Sequence, residues 1–461
     1  MKSTFSISSK LLLFLAVLHH LPPEYSSSPP PPIFPKEAQP TKSGYLTVNQ
    51  TTGSSMFYAF YEAQESNSTS VSNTPLVIWL QGGPGCSSMI GNLYELGPWR
   101  VSSSLRQNVE HLELKKNPGP WNRLFGVVFL DNPIGTGFSI AASESEIPRN
   151  QHEVAKHLWN AMEEFIALDS SFKTRSIYFT GESYAGKYVP AIGYYALKRN
   201  AQLPKEMQLN VQGVAIGNGL THPIAQVATH AINAYYIGLI NEKQKNLLKN
   251  LQEKAVGFTK AGNWSDATIA RSKVLNELQK MTGLATLYDY RRLIPYEDDL
   301  VGDLLNIDEV KKLFGANETM KYATCSGLVG EILSDDVMKS AKYMVEYLVK
   351  NSKVLLYQGQ NDLRDGVVST EAWMKMMKWE GTEKFLEAER KVWKVKGFVA
   401  GYVQKWGSLS HVIVSNAGHL VPTDEALNSQ AMIEDWILDK GLFAQDQGIM
   451  RHPSANRFKG F

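Results

Sequence analysis

Short apolar runs that stop at turn residues recur along this chain, and they constrain its fold more than any other feature. Leu76–Leu80 (L-V-I-W-L) ends in Q-G-G-P-G, Val127–Leu130 in D-N-P, Ser176–Thr180 (S-I-Y-F-T) in G-E-S, and Val211–Ile216 in G-N-G. Between them lie stretches with helical spacing. Val154, Leu158, Ala161, Met162, Phe165 and Ile166 mark one face of a helix over Gln151–Leu168, and Tyr184–Lys198 reads as another. Strands this short and this apolar are buried on both faces. The alternation therefore predicts an α/β fold, a mostly parallel central sheet with helices on both faces. A hairpin precedes it, with Gly44–Val48 and Met56–Tyr61 flanking the turn N-Q-T-T-G-S. Strands resume at Val354–Tyr357, Lys391–Val395, Phe398–Lys405 and His411–Ser415, and Asp424–Leu438 closes as an amphipathic helix.

The rhythm stops between about Thr221 and Asp335. That segment is polar and helical, with helices expected near Pro223–Ile240, Glu242–Lys254 and Ser265–Lys280. It reads as an insertion, so the expected division is a core at 41–220 and 336–461 with a helical cap at 221–335. Ser334 reads as the N-cap of a helix running to about Lys350.

At the N-terminus Lys2 and Lys10 precede Leu11 to Leu18, 8 unbroken apolar residues. That is enough for the core of a secretory signal and far short of the roughly 20 a spanning helix needs. Residues 1–25 are expected to be a signal peptide, and 26–40, which contains P-P-P-P, an extended and poorly ordered leader. No other stretch approaches the length of a transmembrane helix. Secretion is the expected route, with a vacuole as the alternative destination. It gives meaning to four glycosylation sequons, at Asn49, Asn67, Asn263 and Asn317. It also permits Cys86 to pair with Cys325, two buried free thiols being the alternative. These 2 cysteines cannot alone furnish a four-ligand zinc site or an iron–sulfur cluster. Lysine and arginine number 47 against 45 aspartate and glutamate, which leaves no excess to drive nucleic-acid or acidic-lipid binding.

In open sheets of this kind active sites lie beyond the carboxyl ends of the strands. Gly82, Ser183, Asp362 and His419 each fall within a few residues of an expected strand end. Ser183 in T-G-E-S-Y-A-G stands between a strand and a helix, where a sharp turn would push its hydroxyl out over the sheet. The pattern G-x-S-x-G is not met strictly, because residue 185 is Ala, and a plain N-cap serine is the competing reading. A serine needs a base, and of 10 histidines only His419 follows a strand through a short loop, in S-N-A-G-H-L-V-P. The base needs an orienting carboxylate. Asp362, in Y-Q-G-Q-N-D-L-R-D-G, follows the strand V-L-L-Y, while Asp365 precedes Gly366 and reads as a turn residue. The order Ser, Asp, His is that of α/β hydrolases. Backbone N–H groups for a developing oxyanion are expected at Tyr184 and at Gly82 or Gly83. No Gly-Lys-Ser/Thr follows the Q-G-G-P-G turn, so it is not a P-loop.

Taken together these segments resemble the serine carboxypeptidase family, most of all its plant members. The resemblance rests on W-L-Q-G-G-P-G-C-S-S (Trp79–Ser88), E-L-G-P (Glu95–Pro98), D-N-P-I-G-T-G-F-S (Asp131–Ser139), G-E-S-Y-A-G-K-Y-V-P (Gly181–Pro190), G-N-G (Gly217–Gly219) and N-A-G-H-L-V-P (Asn416–Pro422). It spans Gly44 to Leu438 and blurs inside the insertion. It implies an α/β-hydrolase fold with an inserted helical cap, peptide substrates cleaved at the C-terminal residue, and neither metal nor organic cofactor. It implies Ser183, Asp362 and His419 as the triad and Gly83 and Tyr184 as oxyanion donors. In the family an Asn and two Glu, supported by a Trp, hold the substrate's terminal carboxylate. Glu182, Glu95 and Trp79 match three of these, and the Asn position is Gln81, a residue some members carry there. Cys86 matches a family disulfide position, with Cys325 as its partner, where many relatives have more disulfides.

A substrate carboxylate cannot sit beside two ionised glutamates, so this pair is expected to hold a proton and the activity to be best at mildly acidic pH. Glu182 favours a hydrolase, since related plant acyltransferases tend to carry Asp there. The alternatives are an acyltransferase using glucose esters and a catalytically silent binding protein on the same scaffold.

Overall fold

The computed structural model describes residues 34–65, 71–106 and 109–444. Its strands are β1 (Lys42–Asn49), β2 (Ser54–Tyr61), β3 (Leu76–Leu80), β4 (Trp99–Arg106), β5 (Val109–Lys116), β6 (Gly126–Leu130), β7 (Ile177–Glu182), β8 (Val211–Gly217), β9 (Lys353–Gly359), β10 (Lys391–Val395), β11 (Phe398–Trp406) and β12 (Leu409–Val414). Ten of them form one sheet in the order β1-β2-β6-β3-β7-β8-β9-β12-β11-β10. The strands from β6 to β12 run parallel, and an antiparallel hairpin closes each edge.

The two faces follow from the side-chain period of two. In β3, Ile78 and Leu80 enter one core while Val77 and Trp79 enter the other. In β7, Ile177 and Phe179 divide from Tyr178 in the same way. The first face is covered by the helices Gln151–Ala167, Ala185–Asn200 and Lys342–Asn351, through Leu158, Phe165, Ile192 and Leu348. The second is covered by Ala426–Ile437, through Met432, Ile433 and Trp436. Helix Gln151–Ala167 starts where the Asn150 side chain accepts from the His152 and Glu153 N–H groups.

Between β8 and β9 the chain adds no strand to the sheet. The segment is helical, but it divides in two. Helices Glu242–Lys260 and Trp264–Thr282 share a separate core of Leu248, Ala255, Val274 and Leu278, seated on Leu363 and Met338. Helices Asp299–Leu305 and Asp308–Phe314 instead bury Leu304 and Phe314 in the main core of the second face. The expected helix at Pro223–Ile240 is two helices, Pro223–Val227 and His230–Tyr236.

Two further expectations need correction. The Pro-rich leader does not stay loose to residue 40: Phe34 is buried against Phe314 with ring centroids 5.3 Å apart, and the Tyr61 hydroxyl donates to the Ala38 carbonyl. An aromatic ring with a vacant apolar site nearby overrides the polyproline tendency of its neighbours. Ser334 does not cap a helix running to Lys350. Residues Ser334–Asp336 form a separate turn, because Asp336 is drawn away to the Tyr184 hydroxyl and Gln151, and the helix begins at Lys342. The hairpin β4–β5, a sheet of its own, carried no apolar run to announce it. Residues 1–33, where the signal peptide was expected, lie outside the described residues.

Candidate active site

Strand β7 delivers its buried residues up to Glu182, and Ser183 follows at φ +60°, a left-handed conformation that a serine adopts only when its surroundings impose it. Here the surroundings are visible. The Ser183 N–H donates to Gly217 O at 2.9 Å, and its carbonyl accepts from Gly186 and Leu220, both at 2.9 Å. Gly82, beyond β3, packs so closely that a Cβ there would lie 2.7 Å from both the Ser183 Cβ and the Tyr184 nitrogen. Only glycine allows that approach. Gly83 follows at φ +109°. Neither its N–H nor that of Tyr184 donates to a protein acceptor among the described residues, which leaves both able to meet an oxyanion.

Asp362 and His419 stand beyond the ends of β9 and β12, which are neighbours in the sheet. The His419 Nδ1 lies 2.7 Å from Asp362 Oδ2, with both side chains buried. A carboxylate only accepts, so Nδ1 carries the hydrogen, and in the neutral ring Nε2 is the acceptor. Nε2 has no partner among the described residues. Asp362 Oδ2 also accepts from Asn218 Nδ2 at 2.7 Å, and Oδ1 from the Arg364 N–H at 2.7 Å. The rival carboxylate Asp365 does not reach the histidine; it pairs with Arg271 at 3.4 Å.

Two supports went unnoticed in the sequence. Asn218, the centre of G-N-G, sits at φ +43° and joins β8 to the Asp362 turn, since its Oδ1 also accepts from the Gly359 N–H at 3.1 Å. Its motif was legible, but its role was not. Tyr288, from the insertion, packs its ring 4.4 Å from the His419 ring at a tilt of 33°, and its carbonyl accepts the His419 backbone N–H at 2.7 Å. No local signal marks it.

Next to the elbow lies a buried acidic cluster. Gln81 Nε2 donates to Glu182 Oε1 at 2.8 Å and to Glu95 Oε1 at 3.1 Å, and Gln81 Oε1 accepts from the Trp79 indole at 2.8 Å. All four side chains are buried. The second oxygens of both glutamates have no hydrogen-bond partner among the described residues, and both Oε1 atoms accept from the same Gln81 amide, so the two carboxyls stand close together out of water. Burial pushes Glu95 up to about 7, against the bond from Gln81 and the nearby Arg100 charge. Burial, and then the Glu95 charge, raise Glu182 well above the ordinary carboxyl range.

A disulfide joins Cys86, in the turn after Gly83, to Cys325 of the insertion, so the pairing reading holds over free thiols. Asp131 braces the same turn. Its carboxylate accepts from the Ser87 hydroxyl at 2.5 Å and from the Ser88 and Phe138 N–H groups at 2.9 Å each, and burial raises it to about 6. Of the sequons, Asn263 and Asn317 are exposed, Asn49 is half-buried with its amide on Glu146, and Asn67 lies outside the described residues. Among the described residues no helix is long and apolar enough to cross a membrane.

The serine carboxypeptidase family profile matches residues 31–439. The chain is 59% identical over 412 residues to serine carboxypeptidase-like 50 of Arabidopsis thaliana, covering 89% of this chain and 90% of that protein. It is 34% identical over 421 residues to the probable serine carboxypeptidase CPVL of Homo sapiens, covering 88% and 85%. The solved structure of Kex1(delta)p, a prohormone-processing carboxypeptidase from Saccharomyces cerevisiae, superposes with a TM-score of 0.76 at 25% identity, over 86% of this chain and 91% of that one. An elbow serine, a buried Asp–His pair and a buried carboxyl pair thus meet on a chain that belongs, by sequence and by its α/β-hydrolase fold, to the serine carboxypeptidase family.

Proposed function

We propose that this enzyme releases the C-terminal amino acid from peptides through an acyl-enzyme on Ser183. The Ser183 Oγ attacks the last peptide carbonyl while His419 Nε2 takes its proton, and Asp362 holds the imidazole and stabilises its charge. The oxyanion is met by the N–H groups of Gly83 and Tyr184. His419 returns the proton to the leaving amine, the C–N bond breaks, and water repeats the sequence in reverse to free Ser183.

The buried cluster of Gln81, Glu95, Glu182 and Trp79 is the observation that carries this reading. A carboxyl pair that keeps a proton can donate to a substrate's terminal carboxylate, whereas an ionised pair would repel it. Glu182 is the residue before Ser183, so a carboxylate held there lies next to the scissile bond. Gln81, one methylene longer than the family's Asn, already bridges both glutamates and can play the same part. Release of the leaving residue at mildly acidic pH follows from the raised Glu95. The disulfide and the exposed sequons Asn263 and Asn317 support passage through the secretory route, to the cell exterior or a vacuole.

The test is C-terminal residue release from a panel of blocked dipeptides, from about pH 4 to about pH 8, comparing the protein with its Ser183→Ala variant. The expected result is release in acid that falls by about 10⁶ without the serine, the scale measured for other serine hydrolases. A serine that a fluorophosphonate labels but that releases nothing would turn the reading to acyl transfer. A serine that neither labels nor turns over would leave a binding protein.

A further inference from the structure

Behind the elbow, on the sheet face that carries helices Gln151–Ala167 and Ala185–Asn200, lies a cavity of about 470 Å³. None of the residues assigned above to the triad, the carboxylate cluster or the oxyanion lines it. Its size is that of a small-ligand pocket.

The charge on its walls is one-sided. Lys187, Lys198, Arg199 and Lys339 all line it, against Asp336 as its one carboxylate. Asp336 is already engaged, accepting from Gln151 Nε2 at 2.7 Å and from the Tyr184 hydroxyl at 2.8 Å. The cations lean instead on neutral groups. Lys198 lies 4.5 Å over the Tyr347 ring, Arg199 5.1 Å over Trp159, and the buried Lys187 ammonium donates to the Lys339 carbonyl. Four like charges gathered around one hollow repel one another, and an anion between them removes that cost. Burial lowers Lys187 to about 8, so it too is charged in acid. One more demand is unmet: the Oε1 of Gln151, buried at the same wall, has no donor among the described residues. Tyr194, Tyr195 and Tyr343 add aromatic surface to the lining, beside the smaller Ala191 and Ala341.

We propose that this cavity is a second binding site, for a small phosphomonoester on a flat apolar body. A phosphomonoester near pH 5 keeps one P–OH, since its second pKa is about 6. It can therefore present oxygens to the lysines and a donor to Gln151 Oε1 at once, while the tyrosines take the apolar body. A carboxylate offers the first and not the second. The site is coupled to catalysis by a short path. Gln151 Nε2 also reaches the Tyr184 hydroxyl at 3.3 Å, and Tyr184 is the residue after the nucleophile. A ligand that shifts Gln151 acts on the elbow from behind.

The test is calorimetric titration of the whole secreted protein with phenyl phosphate at about pH 5, with benzoate and inorganic phosphate in parallel. Saturable binding of phenyl phosphate is expected, about tenfold or more tighter than either parallel probe. The double variant Lys198→Gln/Lys339→Gln should weaken it by about tenfold or more while leaving ligand-free turnover unchanged. With wild-type protein, added phenyl phosphate should change kcat and leave KM alone. Binding that is absent, or is equally tight in the double variant, overturns the proposal. So does simple competition with peptide, which would place the ligand in the catalytic cleft. The titration needs no turnover, so its outcome is independent of the peptidase reading.

Discussion

Replacing Glu95 by glutamine tests the protonated carboxyl pair directly. In the folded protein burial holds Glu95 near 7, against an ordinary value of 4.5. At about 1.4 kcal/mol per pH unit that interval corresponds to about 3 kcal/mol. A carboxyl raised on folding contributes stability that is fully present below its unfolded value and is lost as pH rises through its folded value. The wild-type protein should therefore lose up to about 3 kcal/mol between roughly pH 4.5 and pH 7.5 through this group alone. In Glu95→Gln the new side chain cannot ionise. Its carbonyl can still accept from Gln81 Nε2, and its amide brings a fixed donor to the pair. The variant should match wild type near pH 5 and, because it loses less stability as pH rises, exceed it by up to about 3 kcal/mol near pH 7.5. In activity, wild-type kcat/KM should fall by about tenfold per pH unit above 7, and the variant's fall should start later. The assays are urea denaturation and peptide release, each at several pH values. Equal loss of stability in both proteins, or an unchanged alkaline limb, would refute the raised Glu95.

Asn218→Ala removes a buried amide that holds Asp362, and should lower kcat by on the order of tenfold to a hundredfold with KM unchanged, read by steady-state kinetics. Arg271→Met leaves the buried Asp365 with only Arg364, at 3.9 Å, as an ion-pair partner and should cost up to about 3 kcal/mol. The double variant Arg271→Met/Asp365→Leu should recover most of that in urea titration, and a double variant no more stable than the single one would deny the pair its role. Replacing both cysteines by serine opens a link between residues 239 apart and should destabilise by up to about 5 kcal/mol. A Tm insensitive to the change would count against it.

The legible parts of this protein were local. The strand β3 could be read because five apolar residues stop at a glycine turn, and Ser183 because a strand, a sharp turn and a helix follow in direct succession. The hairpin β4–β5 escapes a sequence reading because its strands mix polar and apolar residues without an unbroken apolar run. Phe34 was read as leader because nothing in its neighbourhood announces Phe314. The insertion was visible as a loss of rhythm, but its division into one half with a private core and one half that joins the main core depends on contacts far apart in the chain.

By itself the sequence determined the two-faced sheet and the places along it where chemistry could stand. Side-chain period and turn preference act over a few residues, and both are written in the order of the chain. Tertiary structure decided which of those places meet. Asp362 rather than Asp365 reaches His419, across 57 residues, because β9 and β12 are adjacent and Asn218 turns the carboxylate toward the ring. Gln81 bridges Glu182 across 101 residues because β3 and β7 are neighbours. The raised pKa of the two glutamates is a property of neither residue alone. It arises from burial and proximity, which only the folded chain supplies.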